Sequence, residues 1–376
     1  MLAKTPPMGW NSWNTFGPNI NEQLIFEIAD AMVDKGYRDA GYEYLVIDDC
    51  WCLRERDENG MIVADPEKFP HGMKYVSDYV HSKGLKFGMY SAAGTRTCAG
   101  YPGSYGHEYE DAAQFAEWGV DYLKYDLCHF PGCGDVRNRY MTMGMALRAT
   151  GRDIMYSGCT VGGHEPWDWM RSVGAHLYRS TGDITDDYES FRHIAQSQLK
   201  NLNASAPGCY NDMDMLVVGM SGVGNVSHNG GCTDEEYAMH FALWCMWGVP
   251  LMMGGDIRKI NPYLTGIMQN KDLIALDQDP ESRPPYYEEK QRYNSEARWA
   301  VLRMLDNNEI VLGYFNFCEQ ELEVLMYFDD YGISKEYGLE LTDIITGENI
   351  GTKFDFYCPR LKGRTFKIYK AKFVKR

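Results

Sequence analysis

The chain has 376 residues, of which 44% are hydrophobic and 24% are charged, a balance typical of a folded globular protein. The formal net charge is −16, so the phosphate backbone of a nucleic acid or an anionic membrane surface would repel the chain. Aromatic side chains make up 14% of the residues, which favours large clefts lined by flat rings.

The apolar segments bear on membrane association and location. Residues 1–7 lack the apolar stretch of a secretory signal. The most apolar run, residues 241–255, is interrupted by Gly248 and Pro250 and is too short to span a bilayer. We therefore expect a cytoplasmic protein that binds neither a membrane nor a nucleic acid.

The Cys and His residues bear on disulfides and cofactors. The chain has 11 Cys, an odd number that argues against a complete disulfide framework. Cys50 and Cys52 stand close together, but no second Cys pair with the usual two-residue spacing and no His-Glu-x-x-His motif accompany them. We expect no metal and no other cofactor.

One local pattern recurs along the first 280 or so residues. An amphipathic helical segment ends at a Gly, and an apolar strand begins within a few residues. In the first such helix, Leu24, Ile25, Ile28 and Met32 share one face after a cap at Asn21. Gly suits the residue after a helix because it enters the left-handed region without steric cost. The Gly residues at these transitions are Gly36, Gly84, Gly119, Gly151, Gly174 and Gly248.

The strands after these Gly residues, with segments 7–13 and 209–216, make eight predicted strands. Their centres lie near residues 10, 47, 90, 125, 156, 180, 212 and 252. Eightfold alternation of strand and helix predicts the α/β class and a closed parallel (β/α)8 TIM barrel over residues 1–285. A doubly wound open sheet is the alternative, but no Gly-x-Gly-x-x-Gly follows the first strand.

The pattern changes near Pro284 and Pro285. Beyond these residues come short, alternating or aromatic-rich segments joined by turns, which predict a C-terminal antiparallel β-sandwich over residues 286–376. We expect this domain to cover one side of the barrel. The predicted strands span residues 299–305, 310–317, 322–328, 339–345 and 365–370.

Carboxylates stand at the predicted C-terminal ends of the barrel strands, where barrel enzymes place their catalytic groups. Each one alone could be a helix cap or a turn former. A set that converges on one mouth indicates an active site instead. The carboxylates are Asp48, Asp49, Asp126, Asp183, Asp212, Asp214 and Asp256.

Two of these carboxylates suit a paired role. The two-residue period of a strand places Lys124 and Asp126 on one face of strand four, and Arg179 and Asp183 on one face of strand six. A nearby Lys favours an ionised carboxylate, so Asp126 is the better nucleophile candidate, which leaves Asp183 as the proton donor. Strands four and six are second neighbours around the barrel, close enough for the two carboxyls to flank one glycosidic bond.

Six motifs resemble family 27 of the glycoside hydrolases, which holds the α-galactosidases and the α-N-acetylgalactosaminidases. They occur in the family's order between about residues 5 and 280, whereas the C-terminal region matches only in type. The motifs are Met8-Gly-Trp-Asn-Ser-Trp13, Ile47-Asp-Asp-Cys-Trp51, Thr97-Cys-Ala-Gly-Tyr-Pro-Gly-Ser104, Tyr122-Leu-Lys-Tyr-Asp126, Arg179-Ser-Thr-Gly-Asp-Ile184 and Asn211-Asp-Met-Asp-Met215.

The resemblance implies a role for each matching position. Asp126 would be the nucleophile of a retaining mechanism, and Asp183 the general acid and then the base. Asp48 and Asp49 would bind the 4- and 6-hydroxyls of the sugar, with Trp13 as an apolar wall. The rest of the sugar pocket would be formed by Tyr90, Lys124, Arg179 and Asp214. A disulfide between Cys98 and Cys128 is also implied, although a cytoplasmic location disfavours that bond.

Two positions depart from the family pattern. Strand three reads Tyr90-Ser-Ala-Ala-Gly94, where the family commonly has Tyr-Ser-Asp-Ala-Gly. After strand five, α-galactosidases usually carry Cys-Glu-Trp, whose side chains contact or crowd the sugar's 2-position. Here the segment is Cys159-Thr-Val-Gly-Gly-His164, so Cys159 and Thr160 join the candidate substrate-binding residues.

The resemblance implies an exo-acting α-galactosidase whose partner is an oligosaccharide or glycoside. Within the family the alternatives are an α-N-acetylgalactosaminidase, a β-L-arabinopyranosidase and an α-glucoside-cleaving enzyme. An inactive sugar-binding barrel is the alternative from another class, but an inactive homologue usually lacks one carboxylate of the pair, and both are present here. The sequence leaves open whether the chain forms a homo-oligomer.

Overall fold

Eight parallel strands form the N-terminal part of the protein in a computed structural model that describes residues 2–132, 134–198, 201–287, 294–306 and 308–376. Within these ranges, no helix combines the length and the apolar character that crossing a membrane requires. The strands are β1 (Met8–Asn11), β2 (Tyr44–Val46), β3 (Lys86–Ala92), β4 (Tyr122–Asp126), β5 (Met155–Cys159), β6 (Leu177–Arg179), β7 (Tyr210–Asp212) and β8 (Leu251–Met253).

The sheet closes on itself as a barrel. Its strands follow the order β7-β6-β5-β4-β3-β2-β1-β8. Leu216, shortly after β7, closes the remaining gap by bridging to β8. Its N–H donates to the carbonyl of Met252 at 2.7 Å, and its own carbonyl accepts the N–H of Gly254 at 2.8 Å. The predicted (β/α)8 barrel is confirmed.

Helices alternate with these strands and cover the barrel. The side chain of Asn21 accepts the N–H of Leu24 at 2.8 Å and caps the first long helix, as predicted. The helices are α1 (Trp13–Phe16), α2 (Glu22–Asp34), α3 (Gly72–Ser82), α4 (Glu108–Glu117), α5 (Val136–Ala149), α6 (Pro166–Trp169), α7 (Tyr188–Ser197), α8 (Asp234–Trp247), α9 (Pro262–Met268) and α10 (Lys271–Asp277).

Two barrel strands end earlier than the sequence predicted. Strand β6 ends at Arg179, so Asp183 lies on the loop that follows and not on a strand face shared with Arg179. Strand β7 ends at Asp212 because the carboxylate of Asp212 accepts the N–H of Asp214 at 2.8 Å and turns the chain. Asp214 itself takes a left-handed φ of 79°.

The C-terminal part is antiparallel. A five-stranded sheet has the order β14-β13-β17-β10-β9, and two short strand pairs, β11 with β16 and β12 with β15, lie against one of its faces. The strands are β9 (Arg298–Met304), β10 (Ile310–Asn316), β11 (Leu322–Glu323), β12 (Met326–Tyr327), β13 (Tyr337–Asp343), β14 (Asn349–Phe354), β15 (Phe356–Tyr357), β16 (Arg360–Leu361) and β17 (Thr365–Lys375). This arrangement agrees with the predicted β-sandwich, except that β14 to β16 were not predicted.

The inner face of this sheet packs against α8, which is buried along nearly its whole length. Trp247 at the end of α8 stacks on Trp299 of β9, with ring centroids 5.8 Å apart and an angle of 15° between the rings. The two parts therefore share one hydrophobic core. The chain passes from barrel to antiparallel sheet between α10 and β9, and the boundary between residues 285 and 286 stays a prediction.

Candidate active site

One cleft at the C-terminal ends of the barrel strands collects most of the predicted site residues. Both proposed catalytic carboxylates, Asp126 and Asp183, line it. The full set of lining residues is Trp13, Asn14, Asp48, Asp49, Tyr90, Cys98, Lys124, Asp126, Arg179, Asp183, Ile184, Asp214, Met215 and Val226.

Lys124 is the positive charge on the β4 side of the cleft. Its ammonium donates to Asp48 Oδ2 at 2.8 Å and forms its ion pair with Asp48 and not with Asp126. Burial lowers the pKa of Lys124, but the charges of Asp48 and Asp126 outweigh burial and raise that pKa overall. The ammonium therefore stays charged and compensates two neighbouring carboxylates in a buried place.

Asp126 is the last residue of β4, and two donors hold its carboxylate. Oδ1 accepts the N–H of Leu127 at 2.9 Å, and Oδ2 accepts the hydroxyl of Tyr90 at 3.2 Å. Burial, and then the charge of Asp126, raise the pKa of Tyr90, which keeps the phenol protonated as a donor. A carboxylate fixed by two donors and facing a cleft is suited to nucleophilic attack.

Asp48 and Asp49, which follow β2, are buried acceptors. Asp48 Oδ2 also accepts the side-chain amide of Asn11 at 2.8 Å. Asp49 accepts the hydroxyl of Thr97 at 2.8 Å and the N–H of Ala99 at 2.9 Å. Burial raises the pKa of Asp49, although these donors oppose the shift. Both carboxylates are held in fixed orientations, as recognition of sugar hydroxyls requires.

Arg179 joins the two carboxylates on the β6 and β7 side. Its Nη2 donates to Asp214 Oδ2 at 2.6 Å and to Asp183 Oδ1 at 2.9 Å. The side chain of Asp214 is 6% exposed, whereas that of Asp183 is 77% exposed. Burial raises the pKa of Asp214 to about 6, although Arg179 lowers it. Asp183 is thus open to water from the cleft, as a group that exchanges protons with substrate and water must be.

Two predicted sugar-binding residues do not line the cleft. Cys159 is buried and borders a small inner cavity of the barrel. The hydroxyl of Thr160 donates to the carbonyl of Gly163 at 2.6 Å and stabilises the turn after β5. Direct contact of these two side chains with the sugar stays a prediction.

Two of the strand-end carboxylates also lie outside the cleft. Asp212 borders the inner cavity and holds the N–H of Asp214. Asp256 accepts Arg258 Nε at 2.7 Å, so it is occupied by an ion pair on the outer loop. A position at a strand end places a carboxylate near the mouth, but the local turn decides whether the side chain enters the cleft.

The structure adds residues that sequence reasoning missed. Asn11, inside the first motif, orients Asp48 and could have been singled out by its place in β1. Val226 lines the cleft from the segment between β7 and α8, and no sequence pattern pointed to it. Cys98, considered only for its disulfide, also lines the cleft. The structure joins it to Cys128, with a Cα–Cα distance of 5.0 Å.

A comparison with protein families identifies this arrangement. A family model described as Alpha galactosidase A matches residues 5–279, which span the whole barrel. The chain belongs to this family, glycoside hydrolase family 27. The matched residues include every strand and helix that positions the cleft, and they end before the C-terminal sheet.

Relatives in family 27 support the same assignment over more of the chain. An alpha-galactosidase from Cyamopsis tetragonoloba is 42% identical over 344 residues, which cover 91% of this chain and 80% of the relative. Alpha-galactosidase A from Homo sapiens is 38% identical and covers 82% of this chain and 76% of the relative. The crystal structure of alpha-galactosidase I from Mortierella vinacea has a TM-score of 0.92 at 32% identity, covering 98% of this chain and 97% of that one.

Proposed function

We propose that the protein is a retaining, exo-acting glycoside hydrolase that releases terminal α-linked galactose from oligosaccharides or glycosides. The observation that carries this proposal is the pair of carboxylates, Asp126 and Asp183, in one cleft of a family 27 barrel. The relatives named above are α-galactosidases, which supports galactose as the sugar.

The first step forms a covalent intermediate. Asp126 attacks the anomeric carbon as the bond from that carbon to the glycosidic oxygen breaks, and Asp183 gives its proton to the departing oxygen. The product is an ester between the sugar and Asp126. Tyr90 keeps the Asp126 carboxylate in place for the attack, and the nearby charge of Lys124, which is bonded to Asp48, compensates it.

The second step returns the enzyme to its starting state. Asp183, now a carboxylate, takes a proton from water, and the resulting oxygen attacks the anomeric carbon and displaces Asp126. Two displacements retain the anomeric configuration. Asp48 and Asp49 accept hydrogen bonds from the sugar hydroxyls, and Trp13 packs on the apolar side of the ring. The cytoplasmic location and the independence from metals and other cofactors stay predictions.

A panel of nitrophenyl glycosides tests the substrate. The α-galactoside should be the best substrate, ahead of the N-acetyl-α-galactosaminide, the β-L-arabinopyranoside and the α-glucoside. Another glycoside at the top of the panel would replace galactose in the proposal. Binding of galactose without turnover of any member would indicate the inactive sugar-binding barrel.

The 2-position of the sugar carries a specific prediction. The turn after β5 is compact, because Thr160 bonds within it and a Cβ on Gly162 would lie 2.9 Å from the carbonyl oxygen of Ser180. Among the described residues, none from 159 to 167 lines the cleft, which favours open space beside the 2-position. We expect the enzyme to cleave 2-acetamido substrates with a kcat/KM only about 10- to 100-fold below that of the galactoside, the cost of one polar contact.

The measurement is kcat/KM for nitrophenyl α-galactoside and for its N-acetylgalactosamine analogue. The α-glucoside serves as a control, since Asp48 and Asp49 should still reject an inverted 4-hydroxyl. A decrease of more than about 10⁴-fold for the acetamido substrate would show that the 2-position is closed.

We expect the pH dependence of kcat/KM to follow the titration of Asp214. This carboxylate accepts both Arg179 and the N–H of Ile184, the residue after Asp183. Since burial raises the pKa of Asp214 to about 6, it gains a proton as the pH falls through 6, and Arg179 then loses its buried partner. We expect a bell-shaped kcat/KM profile whose acidic limb lies near pH 6.

The variant Asp214→Asn tests this assignment, because its side chain does not titrate. It should be less active than the wild type at neutral pH, and its profile should lack the step near pH 6. Asp256→Asn is the matched control, since Asp256 lies outside the cleft and should leave the profile unchanged. An unaltered acidic limb in Asp214→Asn would assign that limb to another group.

A further inference from the structure

Residues 221–232, between β7 and α8, form a closed loop whose two ends meet. The buried hydroxyl of Tyr237 in α8 accepts the N–H of Ser221 at 2.7 Å and the N–H of Cys232 at 3.2 Å. Gly222 and Gly231 face each other across the neck, where a Cβ on Gly231 would lie 2.4 Å from the nitrogen of Gly222. One side-chain oxygen therefore closes this Ω-loop at its base.

The same hydroxyl connects the loop to the segment that carries Asp183. It donates to Asp186 Oδ1 at 2.6 Å, while Asp186 Oδ2 accepts the N–H of Gly222 at 2.8 Å and the hydroxyl of Ser227 at 2.9 Å. Tyr237 and Asp186 are both fully buried. Burial, followed by the bond to Asp186, raises the pKa of Tyr237, so the phenol remains a donor.

The tip of the 221–232 loop links the two walls of the cleft. The carbonyl of Val226 accepts the N–H of Asp186 at 3.0 Å, and the N–H of Val226 donates to the carbonyl of Asn14 at 3.1 Å. The side chain of Val226 lines the cleft between these two segments. The loop thus connects the segment beside Trp13 with the segment that carries Asp183.

Asp183 depends on such anchors for its position. It lies on an irregular segment after β6, and its side chain is 77% exposed, so packing alone does not fix it. On its N-terminal side, the carbonyl of Gly182 accepts Arg179 Nη2 at 2.8 Å. On its C-terminal side, the N–H of Ile184 donates to Asp214 at 2.7 Å. Further along the same side, Asp186 joins the segment to Tyr237 and to the 221–232 loop.

We propose that Tyr237 and Asp186 are positioning residues for proton transfer by Asp183. This inference rests on the proposed function, in which Asp183 protonates the glycosidic oxygen. Loss of either residue loosens the neck of the loop and moves Asp183 relative to that oxygen. Asp126, on β4, is held by separate donors and is not displaced.

The leaving group of the substrate separates this effect from a general loss of structure. An alkyl or sugar leaving group departs as a poor alkoxide unless Asp183 protonates it, whereas a dinitrophenolate needs little protonation. A misplaced proton donor therefore slows the first class of substrate selectively. A disordered cleft or a misplaced nucleophile slows both classes.

The test is Tyr237→Phe, assayed on methyl α-galactoside and on dinitrophenyl α-galactoside. We expect kcat/KM to fall by about 10- to 100-fold on the methyl substrate and by about 3-fold or less on the dinitrophenyl substrate. Asp186→Asn should give the same difference between the two substrates, because the new amide group is itself a donor and faces groups that already donate to Asp186. The double variant should be no worse than the poorer single variant, because both residues belong to one unit.

Tyr42→Phe is the matched control. Tyr42 is also a fully buried Tyr whose hydroxyl makes a buried hydrogen bond, to the carbonyl of Met268 at 2.7 Å, but it does not line the cleft. Its removal should lower the thermal midpoint without changing the ratio of rates on the two substrates. Asp183→Asn shows the largest difference between the losses of kcat/KM on the two substrates that removal of the proton donor can produce.

The proposal would be overturned if Tyr237→Phe and Asp186→Asn slowed the cleavage of both substrates equally. It would also be overturned if the ratio of rates on the two substrates were the same in these variants as in Tyr42→Phe. If Tyr237→Phe does not fold, Ser227→Ala, which removes one donor to Asp186, makes the same comparison with a smaller expected split. A wild-type enzyme that cleaves neither substrate would refute the proposed function itself, which is a different result from an unchanged ratio.

Discussion

Replacing Asp126 with Asn is expected to lower kcat by about 10⁴-fold or more on every glycoside, whatever its leaving group. The amide cannot form the ester with the anomeric carbon, and no other carboxylate of the cleft takes its place at the end of β4. The measurement is turnover of both activated and unactivated α-galactosides. Asp256→Asn is the control, since its side chain is paired with Arg258 outside the cleft.

The stereochemistry of the product checks the same assignment independently. Proton NMR of the first-formed sugar should show the α-anomer, because two displacements retain the configuration. A β-anomer as the first product would mean a single displacement by water and would remove Asp126 from the role of nucleophile. Substantial activity of Asp126→Asn on a dinitrophenyl substrate would contradict the assignment in a second way.

The barrel half of the site was predictable because parallel strands present their C-terminal ends on one side. Asp48, Lys124 and Asp126 lie at or next to such ends, and the cleft brings them together. Their pairing was less predictable. Lys124 and Asp126 share a strand face, yet the ammonium bonds to Asp48 on the other side of β3. Spacing along one strand does not determine which neighbouring strand supplies the partner.

Site residues that lie on loops were harder to predict than those at strand ends. Asp183 reaches the cleft although β6 ends at Arg179, because Asp214 and Asp186 anchor the part of the loop that follows Asp183. Thr160 matched a sugar-contact position in the family pattern, but its hydroxyl bonds to Gly163 within the turn. These contacts join or fold irregular segments, for which neither the period of a strand nor that of a helix gives a signal.

The C-terminal sheet shows which kind of strand the sequence pattern does not predict. Strands with buried, alternating or aromatic residues, such as β9 and β10, were predicted closely. Strand β14 was missed because its residues are exposed or only half-buried, unlike those of β9 at the other edge of the sheet. Hydrophobic alternation reflects burial against a core, so an edge strand with little burial has only a weak hydrophobic pattern in its sequence.

Removal of the Arg303 side chain is expected to have the largest effect on stability. Arg303 of β9 is 1% exposed and donates to the carbonyls of Arg283 at 2.8 Å and Cys245 at 2.9 Å. Cys245 lies in the last turn of α8, so this guanidinium bonds the antiparallel sheet to the barrel. Arg303→Ala leaves buried carbonyls without these donors and opens a cavity, which should lower the free energy of unfolding by about 3–5 kcal/mol.

Denaturant unfolding followed by Trp fluorescence measures this loss, since Trp247 and Trp299 stack at the same interface. Arg298→Ala, at the half-buried start of β9, is the matched control and should cost less than about 1 kcal/mol. Because one hydrophobic core runs through both parts, we expect a single transition that shifts as a whole. An unshifted second transition would show instead that the barrel unfolds independently of the sheet, and would place a true domain boundary between α10 and β9.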